Sequence, residues 1–78
     1  MTIDIITPTT KLFSSNAKLI NLPGSNGSFE ILENHAPIVA TLVAGTVIVV
    51  DNEDQRNSFE ISGGVVEQSD NKVIVLVE

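Results

Sequence analysis

Thr2-Ile3-Asp4-Ile5-Ile6-Thr7 alternates polar and apolar positions closely enough to predict a strand, which Pro8 ends. Lys11 to Leu22 reads as one or two further strands, with Ser14-Ser15-Asn16 as the place for a bend. Pro23-Gly24-Ser25-Asn26-Gly27-Ser28 is a run of consecutive turn formers and predicts an exposed loop. Phe29 to Leu32 is a short strand, Glu33 to Pro37 a turn, and Ile38 to Val43 the next strand. Gly45 opens the β-branched run Thr46 to Val50, and Asp51 to Asn57 is a solvated hairpin tip. Phe59-Glu60-Ile61-Ser62 alternates with Phe59 and Ile61 inward, and Gly63-Gly64 marks a bulge or sharp corner. Val65-Val66-Glu67 and Val73 to Val77 are strands joined through a tight hairpin at Ser69-Asp70-Asn71-Lys72. The count of about eight or more short strands with regular turn signals is the pattern of a sandwich or barrel. No long helical period competes, although Ile38 to Val43 is short and apolar enough to fit either period.

Two runs break the simple alternation. In Val73-Ile74-Val75-Leu76-Val77 both sets of alternate positions are apolar, and Thr46 to Val50 is similar. An antiparallel sheet with one wet face requires polar residues on that face. These strands therefore either sit centrally in a barrel-like curl or turn an outer face toward another protein.

Composition agrees with an all-β fold. Val, Ile and Thr supply 25 of the 78 residues, and β-branched side chains suit a pleated surface. The length allows a single domain, residues 1–78, and the absence of cysteine removes disulfides and thiolate metal sites. Ten acidic residues against four basic ones give a net charge of −6. Lys11, Lys18, Arg56 and Lys72 are scattered, so there is no cationic footprint for nucleic acid or for an anionic membrane surface. No basic region followed by an apolar run opens the chain, and His35 to Val50 is too short and too interrupted for a spanning helix. A soluble domain is the expectation.

Candidate chemistry is thin. His35 is the single histidine, lies in a turn, and has no G-x-S-x-G nucleophile to serve. Counted as a calcium loop from Asp51, the acidic tip places Arg56 where glycine belongs and Ser62 where the closing acid belongs. Gly24 to Ser28 lacks the Gly-Lys-Ser/Thr ending of a phosphate loop and no helix follows it. Asn26-Gly27-Ser28 fits the glycosylation pattern, but without a signal peptide it would not meet the enzyme. Contact with a partner is the better use for this flexible, small-residued loop. No catalytic, cofactor or metal site is expected.

The order of these motifs resembles one family. Leu22-Pro23-Gly24-Ser25-Asn26-Gly27-Ser28-Phe29-Glu30-Ile31-Leu32 followed by His35-Ala36-Pro37-Ile38-Val39 is similar to the signature region of the F-type ATP synthase epsilon subunit. Gly45-Thr46-Val47, Phe59 to Glu67 with its Gly-Gly corner, and Asn71 to Leu76 continue the match, as do Asp4 to Pro8 and Phe13-Ser14. Glu30, Glu33 and Asn34 depart from the Gly, Pro and Gly common in the family. The resemblance implies a flattened antiparallel β-sandwich of about ten short strands. Family members usually continue into a helical hairpin that inhibits ATP hydrolysis, and in some members binds ATP. The chain stops at Glu78, at the end of the sandwich, so neither property is carried over.

The resemblance further implies a non-catalytic rotor part, without cofactor, that clamps the gamma subunit to the membrane-embedded c-ring and helps pass proton-driven rotation to the catalytic head. Its place would be the cytoplasmic face of a bacterial inner membrane, held there only through the complex. The ring-facing loop would be Pro23, Gly24, Ser25, Asn26, Gly27 and Ser28, up to Phe29. The gamma-facing surface would include His35, Ala36, Ala40, Thr41, Leu42, Ser62 and Glu67, with Val73 to Val77 beside it. A free-standing β-sandwich interaction module for an unrelated protein partner is the alternative.

Overall fold

A computed structural model describes all of residues 1–78. It contains six strands and no helix: β1 (Thr2–Ile6), β2 (Lys11–Gly24), β3 (Gly27–Leu32), β4 (Ile38–Asp51), β5 (Arg56–Ser69) and β6 (Lys72–Val77). The ladder order is β1-β6-β5-β4-β2-β3, and β1 pairs with β2 as well, so the sheet closes on itself with β3 outside the ring.

Three of the strands are 14 residues long, and each serves both layers of the folded-over sheet. Residues 11–16 of β2 pair with β1, β1 with β6, β6 with residues 64–69 of β5, and those with residues 38–42 of β4. This is one layer. β3, residues 19–24 of β2, residues 45–50 of β4 and residues 56–61 of β5 make the other. The sandwich expected from the sequence is thus present, its many short strands being halves of longer ones that turn corners. The one parallel pairing is β1 with β6. No sequence pattern encodes it, because it arises from ring closure between the two ends of the chain.

The corners show as changes of phase. In β4, Leu42 points inward at one end, and Val47 and Val49 at the other. In β5, Phe59 and Ile61 pack on the core, then Val66 and Gln68 take over. The register between the two strands is unbroken through this change, with Val43 opposite Gly63 and Gly45 opposite Ile61. Both strands therefore coil together from one layer into the next. Gly64 makes the coil close enough for pairing: a Cβ there would lie 2.1 Å from the Leu76 carbonyl oxygen. In β2 the same change is made by a bulge between Ala17 and Leu19, so the predicted bend at Ser14 to Asn16 is regular strand.

Two turns match their residues. Asp70 and Asn71 have φ of 50° and 60°, the paired left-handed conformations of a tight hairpin. At the acidic tip the Asp51 carboxylate accepts hydrogen bonds from the Glu53 and Gln55 amides, both at 2.9 Å, which folds the turn around it. The third is tighter than its sequence suggested. Pro23 and Gly24 end β2, Gly27 and Ser28 begin β3, and only Ser25 and Asn26 form the turn.

The core fills the space between the layers. Ile3, Ile5, Val66, Val73 and Val75 face it from one side, and Ile20, Leu22, Ile31, Val47 and Val49 from the other, all without solvent exposure. Each such side chain contributes roughly 1.5–3 kcal/mol by leaving water. Val73, Val75 and Val77 are buried while Leu76, between them, is 47% exposed. The apolar runs thus do both things the sequence allowed: one set of positions closes the core, and part of the other set remains outside.

Candidate interaction surfaces

The predicted loop residues stand at the end of the β2–β3 hairpin. Ser25, Asn26, Gly27 and Ser28 are exposed, Pro23 is half-buried and Gly24 is buried. Ser28 Oγ donates to Asn21 Oδ1 at 3.1 Å, which holds the base of the hairpin. The Ser25 amide donates to the Thr41 carbonyl at 3.0 Å. That bond ties the turn to β4, so the tip is fixed against the sandwich rather than free. No charged residue lies between Asn21 and Phe29, which in a chain of net charge −6 makes the tip a neutral island.

The second predicted set lies along the β4–β5 ribbon. His35 and Ala36 are exposed in the turn before β4. The His35 ring lies along its own loop, with Nδ1 2.7 Å from the Ala36 carbonyl, and its amide donates to the Leu32 carbonyl at 3.2 Å. Asn71 Oδ1 accepts from the Asn34 amide at 3.0 Å and anchors this turn to the β5–β6 hairpin. Thr41 and Glu67 face outward and are exposed, and Ser62 is exposed at the corner. Ala40 faces inward and is half-buried, and Leu42 is a core residue with 3% exposure. Leu42 positions β4 from the core, and Ala40 shows a small part of its side chain at the surface.

Beside the predicted Thr41, Glu67 and Val73 to Val77 run, the outer face of the first layer carries Ile6, Val39, Val43 and Val65, which the prediction did not name. Thr41 pairs with Val65, Val65 with Leu76, and Leu76 with Ile6, forming one row across β4, β5, β6 and β1. Val39, Val43, Val65 and Leu76 are exposed. A shallow hollow of about 450 Å³ opens along this row, walled by Ile6, Pro8, Thr41, Val65, Leu76 and Val77. The neighbouring row, Val39, Glu67, Ile74 and Asp4, adds two carboxylates beside the apolar strip. A smaller hollow of about 180 Å³ lies between the hairpin tip and β4, against Phe29, Ile38 and Ala40. The sequence signal for the apolar row was the two-sided run Val73 to Val77. The parts on β4 and β5 were hidden by the change of phase at the corner.

Comparison with known proteins gives a consistent result. The family described as "ATP synthase, Delta/Epsilon chain, beta-sandwich domain" matches residues 1–78. The chain is 40% identical over 77 residues to the ATP synthase epsilon chain of Chlorobaculum tepidum, covering 99% of this chain and 88% of that one. It is 41% identical over 86 residues to that of Salinibacter ruber, covering all of this chain but 58% of the relative. Among solved structures, a chain of the Euglena gracilis mitochondrial ATP synthase superposes with a TM-score of 0.89 at 18% identity, over 96% of this chain and 48% of its own length. A chain of the Tetrahymena thermophila mitochondrial ATP synthase central stalk and c-ring does so with a TM-score of 0.79 at 17% identity, over 97% and 61%. At such identities these two likenesses concern the fold.

Proposed function

Because the chain belongs to the ATP synthase delta/epsilon-chain β-sandwich family, we propose that it is a rotor subunit of the central stalk, binding gamma through the outer face of its first layer and the c-ring through the β2–β3 hairpin tip. It contributes no catalytic group. It transmits torque, working at the cytoplasmic face of a bacterial membrane as part of the assembled complex.

One observation carries the gamma assignment: the apolar row of half-buried Ile6 and exposed Leu76 and Val65, continuous across strands of a closed sandwich. Water-exposed apolar strips of this kind favour contact with another protein. The flanking Glu67 and Asp4 suit a partner surface with cations beside its apolar contacts. A neutral tip tied to the same sandwich by the Ser25–Thr41 bond suits polar loops of a ring. A closed double-layered sheet resists shear, and stiffness is what a torque coupling requires.

Co-purification with gamma, and then with a purified c-ring, tests the proposal. Wild-type chain should form both complexes. Val65→Glu and Leu76→Glu should lose gamma while keeping the β-sheet circular dichroism spectrum. Absence of a gamma complex, or equal binding by both glutamate variants, would overturn the assignment.

A further inference from the structure

We propose that Asn26 is a self-modifying site, at which spontaneous deamidation converts the neutral hairpin tip into an anionic one. The chain has seven asparagines, and Asn26 alone is followed by glycine. It is exposed, it occupies the second position of the turn, and its side chain takes part in no hydrogen bond of the structure. By contrast, Asn21 and Asn71 each hold a donor on the side-chain oxygen.

The chemistry needs the Gly27 backbone nitrogen to attack the Asn26 side-chain carbonyl carbon. The new N–Cγ bond forms as the Cγ–Nδ2 bond breaks. The Gly27 amide proton goes to solvent base, and ammonia leaves. Water then adds to one of the two carbonyls of the resulting succinimide. Cleavage of N–Cγ gives aspartate, and cleavage of the bond to the original main-chain carbonyl gives isoaspartate. The sum is one water consumed and one ammonia released, with no change of oxidation state.

The local structure leaves the attacking residue unhindered, at the cost of one brief opening. Gly27 has no side chain to hinder attack, and the space where a Cβ would stand on it is open. Its φ of 118° lies outside the range comfortable for other residues, so the position admits few substitutes for glycine. Closure requires the Gly27 nitrogen to leave the ladder for a moment. A hairpin end with exposed residues on both sides is where a ladder opens at least cost.

The product matters where it stands. A carboxylate at residue 26 would be the only charge between Asn21 and Phe29. Isoaspartate would also lengthen the main chain at the turn that the Ser25–Thr41 bond holds in place. Resting on the ring-contact reading given above, the modification would weaken the hold on the c-ring as the molecule ages.

The test incubates the purified chain in mildly alkaline buffer and follows every asparagine by peptide mass spectrometry, with isoaspartyl methyltransferase labelling for the rearranged product. Most chains should convert at Asn26 before another asparagine changes measurably. Asn26→Gln, which must close a larger ring, should stay unmodified. Conversion at Asn26 no faster than at Asn16 or Asn52 would overturn the proposal. Binding to purified c-ring then separates the two levels. Loss of binding in the deamidated fraction of the aged wild-type chain, separated by ion exchange, but not in the unmodified fraction of the same sample supports the weakening of ring contact; equal binding by the two fractions overturns it. Failure of the fresh wild-type chain to bind counts against ring contact itself, while the mass spectrometry still decides the chemistry.

Discussion

The rings of Phe13 and Phe59 meet with centroids 4.9 Å apart and planes inclined at 56°. Phe13 lies in the first half of β2 and Phe59 in the first half of β5, and no backbone ladder joins these strands. The pair therefore closes by side-chain packing a seam that hydrogen bonds leave open. Tilted aromatic pairs at this separation contribute about 0.5–1.5 kcal/mol beyond the area they bury. A double-mutant cycle with Phe13→Leu and Phe59→Leu, followed by chemical denaturation, should give a coupling energy in that range. Strictly additive single losses would mean that the two rings touch across the layers without stabilising the sandwich.

Gly64 should be intolerant of any side chain. Its neighbour is the main chain of β6, with the Leu76 carbonyl oxygen 2.1 Å from where a Cβ would sit. Backbone cannot move aside as a flexible side chain does. Gly64→Ala should therefore lower the melting temperature by about 10 °C or more in a domain of this size. A change of only a few degrees would mean that β5 and β6 separate at the corner with little cost.

How far the fold was legible depended on whether local chemistry decided the matter. The Asp70-Asn71 hairpin, the Gly63-Gly64 corner and the inward Phe59 and Ile61 were all readable, because turn residues and period-two patterns act over a few neighbours. Three features were not. The hairpin at Ser25-Asn26 is shorter than its six turn-forming residues suggest, because pairing with β3 and β4 draws Pro23, Gly24, Gly27 and Ser28 into the ladder. The inversion of inward positions along β4 and β5 comes from coiling of the pair, which no single strand encodes. The presence of Val65 and Val39 on the outer face, in adjacent rows, follows from that inversion. Leu42, read as part of an interface, is in the core for the same reason.

Adjacent residues in β4 should separate stability from binding. Leu42 is buried and Thr41, beside it, faces the outer row. Leu42→Ala should cost about 2–5 kcal/mol of folding stability through lost burial and the remaining cavity. Thr41→Ala should change stability by no more than about 0.5 kcal/mol. Thr41→Lys should leave the melting temperature near that of wild type and weaken capture of gamma, since it puts a long charged chain over the apolar row. Stability losses of equal size at the two positions would mean that the outer row is packed within the monomer.

Gln68 is the polar residue that the interior does not satisfy. It is 1% exposed, and neither its amide nitrogen nor its side-chain oxygen has a hydrogen-bond partner. Its neighbours across the two ladders are Ile38 and Val73, both apolar. A buried polar group in that position costs about 1–3 kcal/mol relative to one with a partner. An unbranched apolar side chain of similar length removes the cost without opening a cavity. Gln68→Met should accordingly raise the stability of the isolated domain by about 1 kcal/mol or more in urea denaturation, with the slope of the transition unchanged. Gln68→Ala controls for packing: it removes the same polar atoms but leaves a hole, and should gain less than Met or lose stability. If Gln68→Met destabilises instead, the amide is satisfied in solution, and a buried water bridging it to the main chain is the arrangement to seek by high-resolution crystallography.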